Sequence, residues 1–205
     1  MIARSTCGAV LCLIALAAAA ITADETPPLK TPAAFDRITD ERQRSAALFA
    51  EAAKVITSPR CLNCHPSTRE VTQGDDRHPH VPSVPAGRYG VGTTALPCRS
   101  CHEASNTTTL AGSIPSIPGS PNWALAPASM AWQGKSVREI CEQIQDPARN
   151  GGMRLDKLRQ HIAADPVVAW GFQPGEGRIP APGSQSQLAA LIDAWIATGA
   201  RCPQP

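Results

Sequence analysis

Two copies of one five-residue pattern carry the chemistry: Cys61-Leu62-Asn63-Cys64-His65 and Cys98-Arg99-Ser100-Cys101-His102. Cys-x-x-Cys-His is the attachment signature of c-type haem. Two thiols at this spacing can form thioethers to the vinyl groups of one haem. The histidine that follows can ligate the iron from the proximal side, so His65 and His102 are the expected proximal ligands. Two covalently bound c-type haems imply electron movement, or binding of a small oxidant or gas. The competing chemistry is a four-thiolate zinc site. The two pairs begin 37 residues apart, wider than the roughly 15–20 intervening residues of a zinc ribbon, and zinc does not explain the repeated histidine. A redox dithiol is the other alternative, but nothing nearby reads as a thioredoxin-like strand–helix unit.

Helices must position these motifs. The first is expected over about Phe35–Thr57, with Phe35, Ile38, Leu48, Phe49, Ala52 and Ile56 on an apolar stripe that Glu41 to Arg44 interrupt. Ser58-Pro59 ends it directly before the first motif. A second runs from Val137 to Gln145, opened by a Ser136/Glu139 capping box, with Val137, Ile140, Cys141 and Ile144 on one face. A third covers about Arg154–Ala164, with Leu155, Leu158 and Ile162 facing inward and His161 at the edge. The last begins with a Ser184/Gln187 capping box, carries Leu188, Leu191, Ile192, Trp195 and Ile196, and stops at Gly199. Pro and Gly punctuate Ser67 to Pro121, which reads as loop, and no sustained alternation predicts strands.

The second axial ligand of each iron is open at this level. Met130, His161 and His80 are the candidates, with His78 and Met153 behind them. Met130 stands in a loop able to bend over a haem, or fills a gap in the core. In His78-Pro79-His80, alternate residues of an extended segment point opposite ways, so one of the two is expected to reach a given iron. Methionine ligation raises a reduction potential and histidine leaves it lower. Arg69, Arg77, Arg88 and Arg99 are either propionate partners or, as the cost of ordering long side chains favours, ordinary solvated charges.

The first 23 residues read as a secretory signal peptide: Arg4, an apolar run from Ala9 to Ile21, and cleavage after Ala23 or, alternatively, Ala20. Cys12 follows Ala9-Val10-Leu11, a poor lipoprotein signal. No second apolar run is long enough to span a membrane. The expected location is the periplasm. Of 8 cysteines, Cys7 and Cys12 belong to the signal and four belong to the haem motifs. Cys141 and Cys202 remain, and an oxidising compartment favours a disulfide between them; two buried free thiols are the alternative.

Aromatic residues are only 4% of the chain, beside 20 Pro and 15 Gly, a poor recipe for an ordinary core. The expected fold class is therefore mostly α: cytochrome c-like short helices and long loops packed around two covalent haems, in a single fused domain over 24–205. A net charge of +2, without a basic block or aromatic platform, argues against nucleic acid.

Further stretches carry a likeness: Pro121-Asn122-Trp123, Ala126 to Ser136, Glu139-Ile140-Cys141, Asp146 to Gly152 and Ala194 to Ala200. With the two motifs they resemble a family of exported dihaem cytochromes often labelled isoquinoline 1-oxidoreductase subunits. The resemblance implies a partner, a molybdenum hydroxylase whose electrons this chain would accept. It also implies histidine at position 124, where this chain has Ala124. The function expected is a periplasmic dihaem electron carrier with redox-protein donor and acceptor. The alternatives are a dihaem peroxidase-like enzyme with one open iron, and a haem-based gas or redox sensor.

Overall fold

The computed structural model describes residues 28–107 and 116–204. The expected signal peptide, with Cys7 and Cys12, lies outside them. Helices dominate, with little sheet. They are α1 (Glu41–Ile56), α2 (Pro59–Leu62), α3 (Val137–Gln145), α4 (Leu155–Ala164), α5 (Pro166–Phe172) and α6 (Gln185–Ala197). Among the described residues, no helix is long and apolar enough to cross a membrane.

Helix α1 starts later than its apolar stripe suggests. Asp40 caps it, accepting from the Gln43 amide at 2.8 Å, so Glu41 opens the helix instead of interrupting it. Phe35 falls in a separate 3-10 turn, Pro32–Phe35. An anionic cap satisfies a free amide and complements the helix dipole, which fixes the boundary.

The core lies between α1 and α6. Phe49 and Trp195 are fully buried, with ring centroids 4.9 Å apart. Ser45, buried beneath them, donates to the Trp195 carbonyl at 3.3 Å and accepts from the Arg201 amide at 2.8 Å. Leu158 and Ile162 of α4 and Ile140 and Ile144 of α3 join the same cluster. The capping box of α3 is present in both directions. That of α6 is half present: Ser184 accepts from the Gln187 amide at 3.2 Å.

Cys141 and Cys202 are bonded, with Cα atoms 5.6 Å apart. The bridge ties α3 to the segment after α6. The four motif cysteines are free thiols.

The sheet consists of β1 (Thr72–Gln73) paired antiparallel with β2 (His78–Pro79). Its turn needs Gly74 at φ +80°, where a side chain would run into the His78 ring.

Candidate functional site

The first motif begins where α1 ends. Ser58 is extended at φ −68°, ψ 155°, and Pro59 starts α2. The whole pentapeptide is one helical turn: the Cys64 and His65 amides both donate to the Cys61 carbonyl at 3.1 Å. Both thiols and the imidazole therefore project from neighbouring points on one short turn.

The back of His65 is clasped by a distant segment. His65 Nδ1 lies 2.8 Å from the Met130 carbonyl oxygen. The His65 carbonyl in turn accepts from the Trp132 amide at 2.9 Å. The Trp132 indole stacks on the imidazole at 3.5 Å and within 4° of parallel. Helix α3 holds this clasp in place, because Gln143 Nε2 donates to the Ser129 carbonyl. A carbonyl at Nδ1 fixes the tautomer with the proton on Nδ1, leaving a lone pair on Nε2. Burial pushes the His65 pKa down to about 4, assisted by the charge of His161 and opposed by the Met130 carbonyl. The ring is neutral at pH 7, the form that binds a metal.

The second motif repeats this geometry on different supports. Cys98–Ser100 is a 3-10 turn; the Cys101 amide donates to the Cys98 carbonyl at 3.1 Å and the His102 amide at 2.9 Å. His102 Nδ1 lies 2.7 Å from the Pro118 carbonyl oxygen. The Trp123 indole stacks on it at 4.0 Å and 6°. Gly119 permits the approach of Pro118, since a Cβ there would overlap the Ser105 carbonyl. Burial lowers the His102 pKa too, with His80 adding to the effect and the Pro118 carbonyl opposing it.

The chain matches no family model, no curated protein and no solved structure.

Among the described residues, no three His, Cys, Asp or Glu side chains converge as a metal cluster, so the two thiol pairs are separate sites. Each offers what a covalent haem needs: two free thiols and a neutral histidine with Nε2 unused. Desolvation pushes the Cys61 thiol up to about 12 and the Cys64 thiol to about 11. Beside His102 opens a cleft of about 780 Å³, lined by Val91, Pro97, Arg99, Asn122 and Trp123. That volume falls within the roughly 300–1,000 Å³ range of cofactor pockets.

The other candidates divide sharply. Met130 is buried, and its thioether sits beside Gly151 while its carbonyl serves His65. His161 Nδ1 lies 3.0 Å from the Asp165 carboxylate. His80 Nδ1 lies 2.8 Å from the Pro82 carbonyl oxygen, and its ring centroid is 6.2 Å from that of His102. His78 has both ring nitrogens engaged, by Asp76 at 2.6 Å and Gln73 at 3.2 Å. Met153 is held in a loop by Asn150, which accepts from its amide at 2.8 Å. Arg69 spans the carbonyls of Gly87 and Ala126 at 2.8 and 3.2 Å, a structural use. Arg99 lines the cleft.

Sequence reasoning missed the two stacked tryptophans and the carbonyls behind each histidine. A backbone acceptor leaves no mark on residue type. The tryptophans did leave one: two of the four Trp in an aromatic-poor chain fall in the short stretch following the motifs.

Proposed function

We propose that this protein is a dihaem c-type electron carrier of the periplasm. The observation that carries the reading is the duplication of one local geometry. Each Cys-x-x-Cys-His turn has its histidine held at Nδ1 by a carbonyl and covered on one face by a coplanar indole. Two unrelated backbone contexts converge on the same arrangement, which matches a shared demand on Nε2.

Cys61 and Cys64 would hold one haem and Cys98 and Cys101 the other, with His65 and His102 as proximal ligands. When bound, the haems supply one-electron ferric–ferrous chemistry. The chain's own residues do the rest. The Met130 and Pro118 carbonyls increase the basicity of their imidazoles and aim them. Trp132 and Trp123 block rotation of the rings. Trp132 and the helical core behind it lower the dielectric around the half-buried His65.

Met130 is poorly placed as a second ligand to the first iron. Its carbonyl serves Nδ1 of His65 and its thioether sits beside Gly151. His161 is better suited. Asp165 holds its Nδ1 and, among the described residues, no hydrogen bond engages its Nε2.

The resemblance to exported dihaem cytochromes labelled isoquinoline 1-oxidoreductase subunits supports the same reading and suggests a molybdenum hydroxylase as electron donor. The cleft beside His102 keeps a second reading in play, a peroxidase-like enzyme with one open iron. The test is to export the chain with a haem-attachment system and record its spectra oxidised, reduced, and reduced under carbon monoxide. Two covalent low-spin haems indifferent to carbon monoxide are expected. One haem that binds carbon monoxide favours the enzyme. A folded protein without haem overturns both.

A further inference from the structure

The five histidines sort by what their ring nitrogens do. His78 has both occupied. In His65, His80 and His102 the Nδ1 is held by a backbone carbonyl, and in His161 by a carboxylate. Among the described residues, no hydrogen bond engages Nε2 of these four. His80 is the informative member, because nothing in its own motif demands this state. It is half-buried, its amide is paired to the Val71 carbonyl at 2.9 Å, and its side chain returns to the Pro82 carbonyl. A solvated loop histidine has no need of such bracing.

Its separation from His102 fits a shared ion. Trp132 and Trp123 touch their histidines at 3.5 and 4.0 Å, the spacing of stacked rings. His80 stands off at 6.2 Å, with an interplanar angle of 42°. If an imidazole nitrogen binds a transition metal at about 2 Å and the ring centre lies about 1.1 Å further, two imidazoles on opposite sides of one ion have centroids about 6.2 Å apart. The Pro118 carbonyl occupies Nδ1 of His102 and Trp123 covers one of its faces, which leaves Nε2 for that ion.

We propose that His80 is the second axial ligand of the iron held by Cys98, Cys101 and His102, making that iron bis-histidine. The assignment rests on the dihaem reading and refines it. The ligand is delivered by the β1–β2 hairpin. Asn63, inside the first motif, donates to the Gly74 carbonyl at 2.8 Å and accepts from Thr72 Oγ1 at 2.9 Å. The hairpin is therefore anchored at the first site and carries a ligand to the second. Bis-histidine ligation places the potential of this iron below that of a His/Met site, and closes it to small ligands.

The test uses the full chain, exported and loaded, in wild type, His80→Ala, His80→Met and His78→Ala forms. Haem content is measured first, at two per chain. In His80→Ala, half of the haem should become high-spin and bind carbon monoxide, and added imidazole should restore the low-spin spectrum. His80→Met should keep that haem low-spin and raise its midpoint potential. His78→Ala should match wild type. If His80→Ala carries two haems that stay low-spin and inert to carbon monoxide, the assignment is wrong while the dihaem reading stands. If His80→Ala fails to load, His80→Met decides: an unchanged spectrum and potential overturn the assignment. A wild type with one haem already open, in which His80→Ala opens no further haem, also overturns it. A wild type without covalent haem brings down the dihaem reading itself.

Discussion

The two Cys-x-x-Cys-His sites share a local geometry but sit in contrasting surroundings. The first follows directly from α1, and its histidine is backed by Trp132, which is 9% exposed and joined to the helical core. The second is built wholly on loops: Cys101 is exposed, Trp123 is half-buried, and a wide cleft opens beside His102. The same five-residue motif is thus backed by the helical core at the first site and borders an open cleft at the second. If both sites hold haem as proposed, burial around each iron would control its dielectric and access, and the two would differ in potential. The exposed second site is where electrons would enter or leave.

The sharpest challenge to this comparison is to remove each tryptophan. Trp132→Ala should destabilise the protein by about 3–4 kcal/mol, because a buried aromatic ring is deleted from a packed cluster. Trp123→Ala should cost about 1 kcal/mol or less, since solvent already reaches that ring. Denaturant melts of both variants measure this. Equal losses would mean that the second site is as firmly framed as the first.

The disulfide belongs to the first frame alone. Cys141→Ala with Cys202→Ala opens a link across 61 residues and should cost about 2–4 kcal/mol. Thermal unfolding should fall accordingly, while in haem-loaded protein the spectrum of a haem at the second site would be unchanged below the transition. A spectral change confined to the second site would contradict the division.

Gly119→Ala tests the loop frame. The added methyl must push the Ser105 backbone away and draw the Pro118 carbonyl from His102. A loss of about 1–3 kcal/mol is expected; if the sites hold haem as proposed, the potential at the second would shift and that at the first would not. Unmoved potentials would show that the Pro118 contact does not matter.

The smallest effect concerns acid. Glu51 is buried in α1; burial raises its pKa, but the Lys30 amide at 3.0 Å and the Lys54 ammonium at 2.8 Å outweigh that, and the net shift is downward from 4.5. A depressed carboxylate stabilises the fold above its unfolded value, and the contribution is lost as pH falls through the folded value. Glu51→Gln should therefore be about 1 kcal/mol less stable at pH 7 and converge with wild type below about pH 4. Curves that stay parallel to pH 3 would exclude this role.

Much of the helical frame was legible in the chain. Helix α3 runs over the expected residues because Ser136 and Glu139 cap it and Asp146-Pro147 stops it, all within one local stretch. The apolar face of α6 likewise predicted its burial. Helix α5 was not legible: Pro166 to Phe172 mixes β-branched residues with glycine, and it holds only because Asp165 caps it, accepting from the Val167 amide at 2.7 Å, and α4 and α6 pack beside it. The start of α1 was misjudged because an acidic cap and a polar interruption look alike in sequence.

By itself the sequence determined the two thiol–histidine turns, since five adjacent residues contain that chemistry whatever surrounds them. It also pointed to the Cys141–Cys202 pair, which the structure shows bonded. Only the tertiary structure decided which groups stand behind and across from each histidine. Met130 meets His65 across 65 residues, and His80 meets His102 across a hairpin and a loop. Those approaches depend on backbone carbonyls, stacking faces and glycine clearances. Such features are properties of distance and direction, and residue type does not encode them.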